Sequence, residues 1–173
     1  VRNSPPSRST RAMVPWQSLS IDVMHMPLAG GFQYILMCSD NASFYVWACP
    51  LCALDAKNIV AKLDKEIFQL YGAYEEFAYD GAQQLCGVEM ASFLKMWDLQ
   101  NVQIHVGQKN SNRCEGYISR LRKAMKKVLE DSSKTWPRDL KRILLNLNSS
   151  PIPSWKSTIS PFEIMFHRTH IYL

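Results

Sequence analysis

Three acidic residues stand where a carboxylate could bind a metal ion. Asp22 lies between Ile21 and Val23 in an apolar segment, Asp80 ends a short strand-like run, and Glu115 lies near the start of a basic helix-like segment. A charge inside an apolar strand is costly unless it is paired or binds a metal. Carboxylate oxygens are the ligands that Mg²⁺ and Mn²⁺ prefer. If their elements converge, the three residues can hold divalent cations.

Each of these acids also has a simpler interpretation. Asp22 could pair with His25 or with an arginine in the core. Asp80 could be a turn residue, and Glu115 could interact with the positive end of its own helix. The residues alone leave both interpretations open.

The segment around Glu115 has the pattern of an amphipathic helix. At 100° per residue, Arg122 and Lys126 fall within about 20° of Glu115. Lys123 lies about 80° from it on the same projection. The opposite arc is mostly apolar, and its members are Tyr117, Leu121, Ala124, Met125 and Val128. An acid in line with cations suits a phosphodiester, with metal at the acid and basic side chains at flanking phosphates.

The basic residues are concentrated in one part of the chain. The formal net charge is +5, and residues 113–142 hold ten of the 20 basic residues but only four of the 15 acidic ones. The rest therefore carries ten basic and eleven acidic residues. One basic segment on a near-neutral body indicates a polyanionic partner, nucleic acid first. An ordinary solvated helix face is the alternative.

Apolar periodicity predicts an α/β chain with a mixed sheet covered on both faces. Residues 1–14 are expected to be an extended linker and residues 15–173 one domain. Predicted strands cover residues 16–26, 32–39, 44–51, 76–79 and 102–106. Predicted helices cover residues 55–71, 88–99, 111–130 and 135–148, with a short last helix starting at Ser160. One apolar side of the first three strands is expected to comprise Ile21, Val23, Ile35, Met37, Val46 and Ala48.

Composition excludes several other classes of protein. With 47% hydrophobic and 20% charged residues, the chain can bury a core and is not expected to be disordered. No apolar run approaches the roughly 18 residues of a membrane helix, so no membrane partner is expected. Five irregularly spaced cysteines indicate a reducing compartment. Cys49 and Cys52 have the spacing of a metal or redox pair, but we predict that they are core residues.

The sequence resembles the catalytic cores of retroviral and gypsy-type LTR retrotransposon integrases, from about Pro15 to Arg168. Residues 15–22 (PWQSLSID) resemble the family's opening strand, and residues 80–85 (DGAQQL) are similar to its second-aspartate motif. Asp80 and Glu115 are separated by 34 residues, beside the 35 of the D,D-35-E signature. The tail resembles the family's pattern at Trp136, Pro137, Leu140, Asn146, Ser157, Thr158, Ser160–Glu163 and Phe166–Arg168.

This resemblance implies an RNase H-like fold: a five-stranded mixed sheet, an antiparallel meander plus parallel strands, with helices on both faces. It implies that Asp22, Asp80 and Glu115 are the catalytic, metal-binding triad for Mg²⁺, with Mn²⁺ as a substitute. Asp40 matches an acid that we interpret as structural. The residues expected to contact DNA are Arg122, Lys126, Lys123, Lys109 and Arg113.

The implied activity is that of an integrase, a nucleotidyltransferase with endonuclease activity. It would trim the 3′ ends of retroelement DNA and join them to target DNA by two-metal transesterification. The implied partners are DNA and further copies of the chain, as a homodimer or higher oligomer. The implied location is the nucleus, or the retroelement particle before nuclear entry.

Departures from the family pattern keep other functions open. Gly81 is displaced by one position, Asn112 replaces a glycine, and the loop at residues 107–114 differs from the family's usual sequence. A host-captured core that binds DNA or protein without catalysis is one alternative. A related RNase H-like nuclease or transposase is another, and a structural remnant with neither activity nor DNA binding is a third.

Overall fold

The computed structural model describes residues 14–79, 87–99, 115–131, 134–152 and 158–169. Its strands are β1 (Ser18–Ala29), β2 (Phe32–Asp40), β3 (Val46–Leu51) and β4 (Glu76–Tyr79). Its α-helices are α1 (Ala56–Leu63), α2 (Gln69–Tyr71), α3 (Val88–Met96), α4 (Glu115–Asp131), α5 (Trp136–Ser149) and α6 (Pro161–Phe166). A π-helical segment, Asp64–Phe68, joins α1 to α2, so the predicted helix at residues 55–71 is confirmed with a change of winding inside it.

The four described strands form one mixed sheet in the order β3-β2-β1-β4. Gly30 and Gly31, at φ 58° and 84°, make the two-residue turn between β1 and β2, a conformation that glycine adopts at little cost. The first three strands are antiparallel. β4 runs parallel to β1, with Ile21 opposite Tyr79. The predicted meander and mixed sheet are therefore confirmed, whereas the predicted fifth strand, residues 102–106, lies outside the described residues.

Helices cover both faces of the sheet, and each face has its own apolar core. On one face, Ile21 and Leu36 pack with Ile59 and Leu63 of α1. The core on the other face includes residues from β2, β3, α4 and α5, namely Ile35, Met37, Val46, Leu121, Met125 and Leu140. The prediction of a single apolar side was therefore wrong. Ile21 and Val23 contact the first core, whereas Ile35, Met37, Val46 and Ala48 contact the second, because alternate residues of a strand point to opposite faces.

Polar contacts attach α5 to the sheet at two points. The fully buried Trp136 donates its indole N–H to the carbonyl of Pro27 at 2.8 Å. At the other end, Asn148 accepts a hydrogen bond from the Val46 N–H at 2.9 Å and donates one to the Val46 carbonyl at 2.8 Å. Val46 begins β3, which is an edge strand of the described sheet, so Asn148 completes backbone hydrogen bonding on the side of β3 away from β2.

A capping box starts α6 where the sequence predicted the last helix. The Ser160 hydroxyl accepts the Glu163 N–H, and Glu163 accepts the Ser160 N–H at 2.9 Å. Hydrogen bonds to the Glu163 carboxylate lower its pKa below the usual value, and the bond from the Ser160 backbone contributes more than the bond from the Ser160 hydroxyl. The helix ends at His167 in the left-handed conformation, and the Arg168 guanidinium lies over the Phe162 ring at 5.3 Å. The family-like tail thus has structural functions.

Cysteine burial partly confirms the prediction of core thiols. Cys38 is buried, Cys49 is half-buried and Cys52 is exposed. Burial raises the pKa of Cys38 well above its usual value and that of Cys49 to about 12, so both thiols are protonated at neutral pH. The prediction was wrong for Cys52, which follows the end of β3. In the described part of the chain, no helix is long and apolar enough to cross a membrane.

Candidate active site at Asp22 and helix α4

Strand geometry directs Asp22 toward α4. In β1, Leu19, Ile21 and Val23 contact the core beneath α1 and α3, so Asp22 points to the opposite face. That face carries α4, whose Leu121 and Met125 are fully buried against it. The side chain of Asp22 is 29% exposed. It therefore lies at the edge of a core, where solvent and a ligand can reach it.

Asp22 has two described partners. Its Oδ1 accepts the N–H of Val23 at 2.8 Å, and its Oδ2 accepts a hydrogen bond from the Arg122 guanidinium at 2.5 Å. The second contact is also an ion pair, in which the Arg122 side chain is 45% exposed. Of the open alternatives, pairing with an arginine is therefore observed. His25 is exposed and packs edge-on against Tyr34.

Helix α4 begins at Glu115 and has the expected amphipathic arrangement. Ile118, Leu121 and Met125 are buried. The predicted DNA contacts Arg122, Lys123 and Lys126 are exposed. The Arg122–Asp22 contact joins the basic face of α4 to β1. The structure thus brings together Asp22, Arg122 and the helix that carries Glu115.

Several predicted site residues lie outside the described structure. These are Asp80, Lys109 and Arg113, together with the side chain of Glu115. In the described part of the chain, which contains neither Asp80 nor the Glu115 side chain, no group of three or more His, Cys, Asp or Glu could hold a metal ion. The described end of β4 is Tyr79, in register with Ile21. In the sequence, Asp80 follows Tyr79 and Asp22 follows Ile21.

Asp40 has the structural role that the sequence predicted. Its buried carboxylate accepts the backbone N–H groups of Trp16 at 2.8 Å, Ala42 at 3.0 Å and Ser43 at 2.6 Å, and also the Ser43 hydroxyl at 2.8 Å. These bonds fix the turn after β2 and the chain entering β1. Asp40 is therefore an anchor for the strand that carries Asp22.

A second polar anchor was not predicted from the sequence. The buried Asn41 side chain donates to the Ser18 hydroxyl at 2.8 Å and accepts from the Ser20 hydroxyl at 2.7 Å. Ser18, Ser20 and Asp22 alternate along β1 and share one face of the sheet. The polar residues at this two-residue spacing in a buried strand were the sequence signal from which this anchor could have been predicted.

The donor set at Asp22 fits a hard divalent cation. The carboxylate already binds one cation, the Arg122 guanidinium, at a half-exposed position. Oxygen ligands of this type suit Mg²⁺ and Mn²⁺. Glu115 begins the helix that lies over Asp22, and Asp80 follows the strand that pairs with β1. In the described part of the chain, β4 pairs with β1 and Arg122 joins α4 to Asp22.

Some known proteins resemble this chain in sequence or in fold. No family profile matches the sequence. The chain is 26% identical over 141 residues to the Gag-Pol polyprotein of feline leukemia virus, covering 79% of this chain and 8% of that polyprotein. The chain thus spans a small part of the relative it matches.

Solved structures match over most of the chain. The HTLV-2 integrase catalytic core domain in complex with magnesium, in its dimeric form, has a TM-score of 0.68 at 15% identity, covering 90% of this chain and 99% of that domain. The simian T-cell lymphotropic virus intasome in complex with a PP2A regulatory subunit has a TM-score of 0.75 at 14% identity. It covers 94% of this chain and 58% of that one.

The fold is therefore α/β and RNase H-like, with a mixed sheet between two layers of helices. More particularly, it is the fold of retroviral integrase catalytic cores, and the resemblance found in the sequence is confirmed.

Proposed function

We propose that this chain is the catalytic core of a DNA integrase, a polynucleotidyl transferase with endonuclease activity. It would hydrolyse a phosphodiester to trim the 3′ end of retroelement DNA. The freed 3′-hydroxyl would then attack a phosphodiester of target DNA by transesterification. The observation that carries the proposal is the approach of Asp22 to the basic face of α4, joined by Arg122, within an integrase-core fold.

Each proposed site residue has a defined task. Asp22, Asp80 and Glu115 would hold two Mg²⁺ ions, or Mn²⁺ in their place. When bound, such ions activate the attacking oxygen and stabilise the leaving oxygen. The cations of the site would bind phosphates and orient the scissile bond, and they are Arg122, Lys123, Lys126, Lys109 and Arg113.

The proposed partners are retroelement and target DNA and further copies of this chain. The HTLV-2 core domain similar to this chain is known in dimeric and trimeric forms, and the simian virus neighbour is an intasome. These neighbours support a homodimer or higher oligomer. We propose action in the nucleus, or in the retroelement particle before nuclear entry.

A non-catalytic binding module is the second candidate. Two observations favour it: the Asp22 carboxylate is paired with the Arg122 guanidinium, and the sequence at residues 107–114 departs from the family pattern. Such a module would bind DNA through α4 without cutting it. A related nuclease would cut DNA but would not join 3′ ends to a target, whereas a transposase would join them after cutting its element out of donor DNA.

The decisive experiment is Mg²⁺-dependent nicking of a linear DNA duplex by the purified chain. We expect nicking by the wild type and none by Asp22→Asn, which removes a carboxylate without changing its shape. Because Asp22 is partly exposed, circular dichroism and thermal unfolding of the variant should match the wild type. Glu130→Gln, an exposed acid at the other end of α4, is the control and should nick normally.

The outcomes separate the candidates. Nicking by Asp22→Asn at the wild-type rate would exclude Asp22 from the chemistry. DNA binding without nicking by the wild type, in Mg²⁺ and in Mn²⁺, would favour the binding module. Nicking without joining of a 3′ end to a second duplex would favour the nuclease.

A further inference from the structure

The Arg122–Asp22 ion pair joins two residues whose proposed ligands differ. Asp22 is expected to bind metal, and Arg122 is expected to bind a DNA phosphate. In the structure the Arg122 guanidinium binds Oδ2 of Asp22 at 2.5 Å, while the Val23 N–H holds Oδ1 at 2.8 Å. The oxygen not used by the backbone is therefore occupied by Arg122. Neither residue can serve its proposed ligand fully while this contact persists.

We propose that Arg122 is a positioning residue that competes with the divalent cation for Asp22 and is released to a DNA phosphate when the metal binds. The inference rests on the proposed metal site. Before metal binds, the guanidinium holds the carboxylate beneath α4 and neutralises its charge. After metal binds, Arg122 has lost its partner at the point where the backbone of DNA would lie. One side chain thus links two binding events.

The expected size of this competition follows from the exposure of the pair. The two side chains are 45% and 29% exposed, so solvent screens the interaction, and such pairs change a binding constant by about two- to fivefold. Metal affinity should be lowered by this factor while Arg122 binds Asp22. By linkage, a phosphate that draws Arg122 away raises metal affinity, and metal raises DNA affinity by the same factor.

The competition can be measured without DNA by titrating the chain with Mn²⁺ and following unbound Mn²⁺ by electron paramagnetic resonance. Arg122→Ala should bind Mn²⁺ about two- to fivefold more tightly than the wild type. Arg122→Lys, which can still pair with Asp22, should remain near the wild type. Lys127→Ala is the matched control, because it removes one exposed positive charge from α4 about 7.5 Å further along the helix axis. It should change the affinity less than Arg122→Ala.

A second readout follows Arg122 itself. In the wild type, Mg²⁺ should shift the NMR signal of the Arg122 Nε–H as the guanidinium leaves Asp22. In Asp22→Asn this signal should start near the released position and respond little to Mg²⁺. An Arg122 signal that does not move when metal binds the wild type would overturn the inference.

Other outcomes distinguish this inference from the proposed function. If Mn²⁺ binding depends on Asp22 but Arg122→Ala and Lys127→Ala raise affinity equally, the metal site stands and the competition is wrong. If neither the wild type nor Arg122→Ala binds Mn²⁺ in an Asp22-dependent way, the proposed metal site is itself wrong, and the competition with it.

Discussion

Two aspartates in neighbouring strands differ in the number of donors around them. Asp40 is buried and accepts hydrogen bonds from Trp16, Ala42 and Ser43. Asp22 is partly exposed, and its described partners are the adjacent Val23 N–H and the Arg122 side chain. A buried carboxylate that accepts several backbone hydrogen bonds has a structural role. One whose outer oxygen is held only by a flexible cation remains accessible to a ligand.

Asp40→Asn should therefore destabilise the fold. An amide nitrogen in place of Oδ2 would face the Trp16 N–H and leave that donor unpaired, at a cost of about 1.5–3 kcal/mol. Urea unfolding of the variant measures this loss. Glu75→Gln, at an exposed acid, is the control and should change stability by less than about 0.5 kcal/mol. Equal stability of the two variants would contradict a structural role for Asp40.

At this scale the sequence identified candidate site residues but not the contacts between them. Asp22 was recognisable because a charge in an apolar strand requires a ligand. The helical projection aligned Arg122 with Glu115, and the structure places Arg122 on the exposed face as expected. The helical projection could not reveal the contact between Arg122 and Asp22, because this contact depends on how α4 packs against the sheet. A projection of one helix contains no information on its packing against distant segments.

At the scale of elements, α5 is attached to the edge strand by one asparagine. The sequence comparison matched Asn146 to the family's tail, but Asn146 is exposed and Asn148 is the buried residue that bonds both backbone groups of Val46. Both occur in one short polar stretch of α5. Only the rotation of the helix against β3 decides which of them reaches the sheet.

Asn148→Ala should thus lower the free energy of unfolding by about 2–4 kcal/mol, because the N–H and carbonyl of Val46 would both lose their partner. Asn146→Ala, two residues away on the same helix, should change the free energy of unfolding by less than about 0.5 kcal/mol. Thermal or urea unfolding of the two variants provides the measurement. A larger loss for Asn146→Ala would show that the packing of α5 is wrong.

Local signals predicted most element positions. The run at Glu76–Tyr79 and the start of the last helix at Ser160 are both confirmed, because short strands and helix starts depend on adjacent residues. The apolar side of the meander was predicted wrongly. Hydrophobic residues occur on both faces of β1 and β2, since helices cover both, and periodicity then no longer distinguishes the two sides.

At the scale of the whole molecule, the basic segment lies on one face of the sheet. Arg122, Lys123 and Lys126 are exposed on α4. Helix α1 packs on the other face of the sheet through Ile59 and Leu63. A polyanion attracted by the basic segment would therefore approach the face of the sheet that presents Asp22.

DNA affinity should accordingly fall with salt, and the α4 cations should set the slope. Lys126→Ala should reduce the slope of log K against log salt by about 1, the value expected for one phosphate contact. Lys57→Ala, an exposed lysine of α1, should leave the slope unchanged. Fluorescence anisotropy of a labelled duplex at several salt concentrations gives both slopes. Identical slopes for the two variants and the wild type would contradict DNA binding through α4.

The proposed function requires Asp22, Asp80 and Glu115 to hold the catalytic metal ions together. Its most direct test is a crystal of the chain soaked in Mn²⁺, with anomalous scattering used to locate the metal. We predict anomalous density bound by all three carboxylates, with Arg122 displaced from Asp22. Carboxylates that remain apart, with Asp22 still paired to Arg122 and no metal at millimolar Mn²⁺, would contradict the claim.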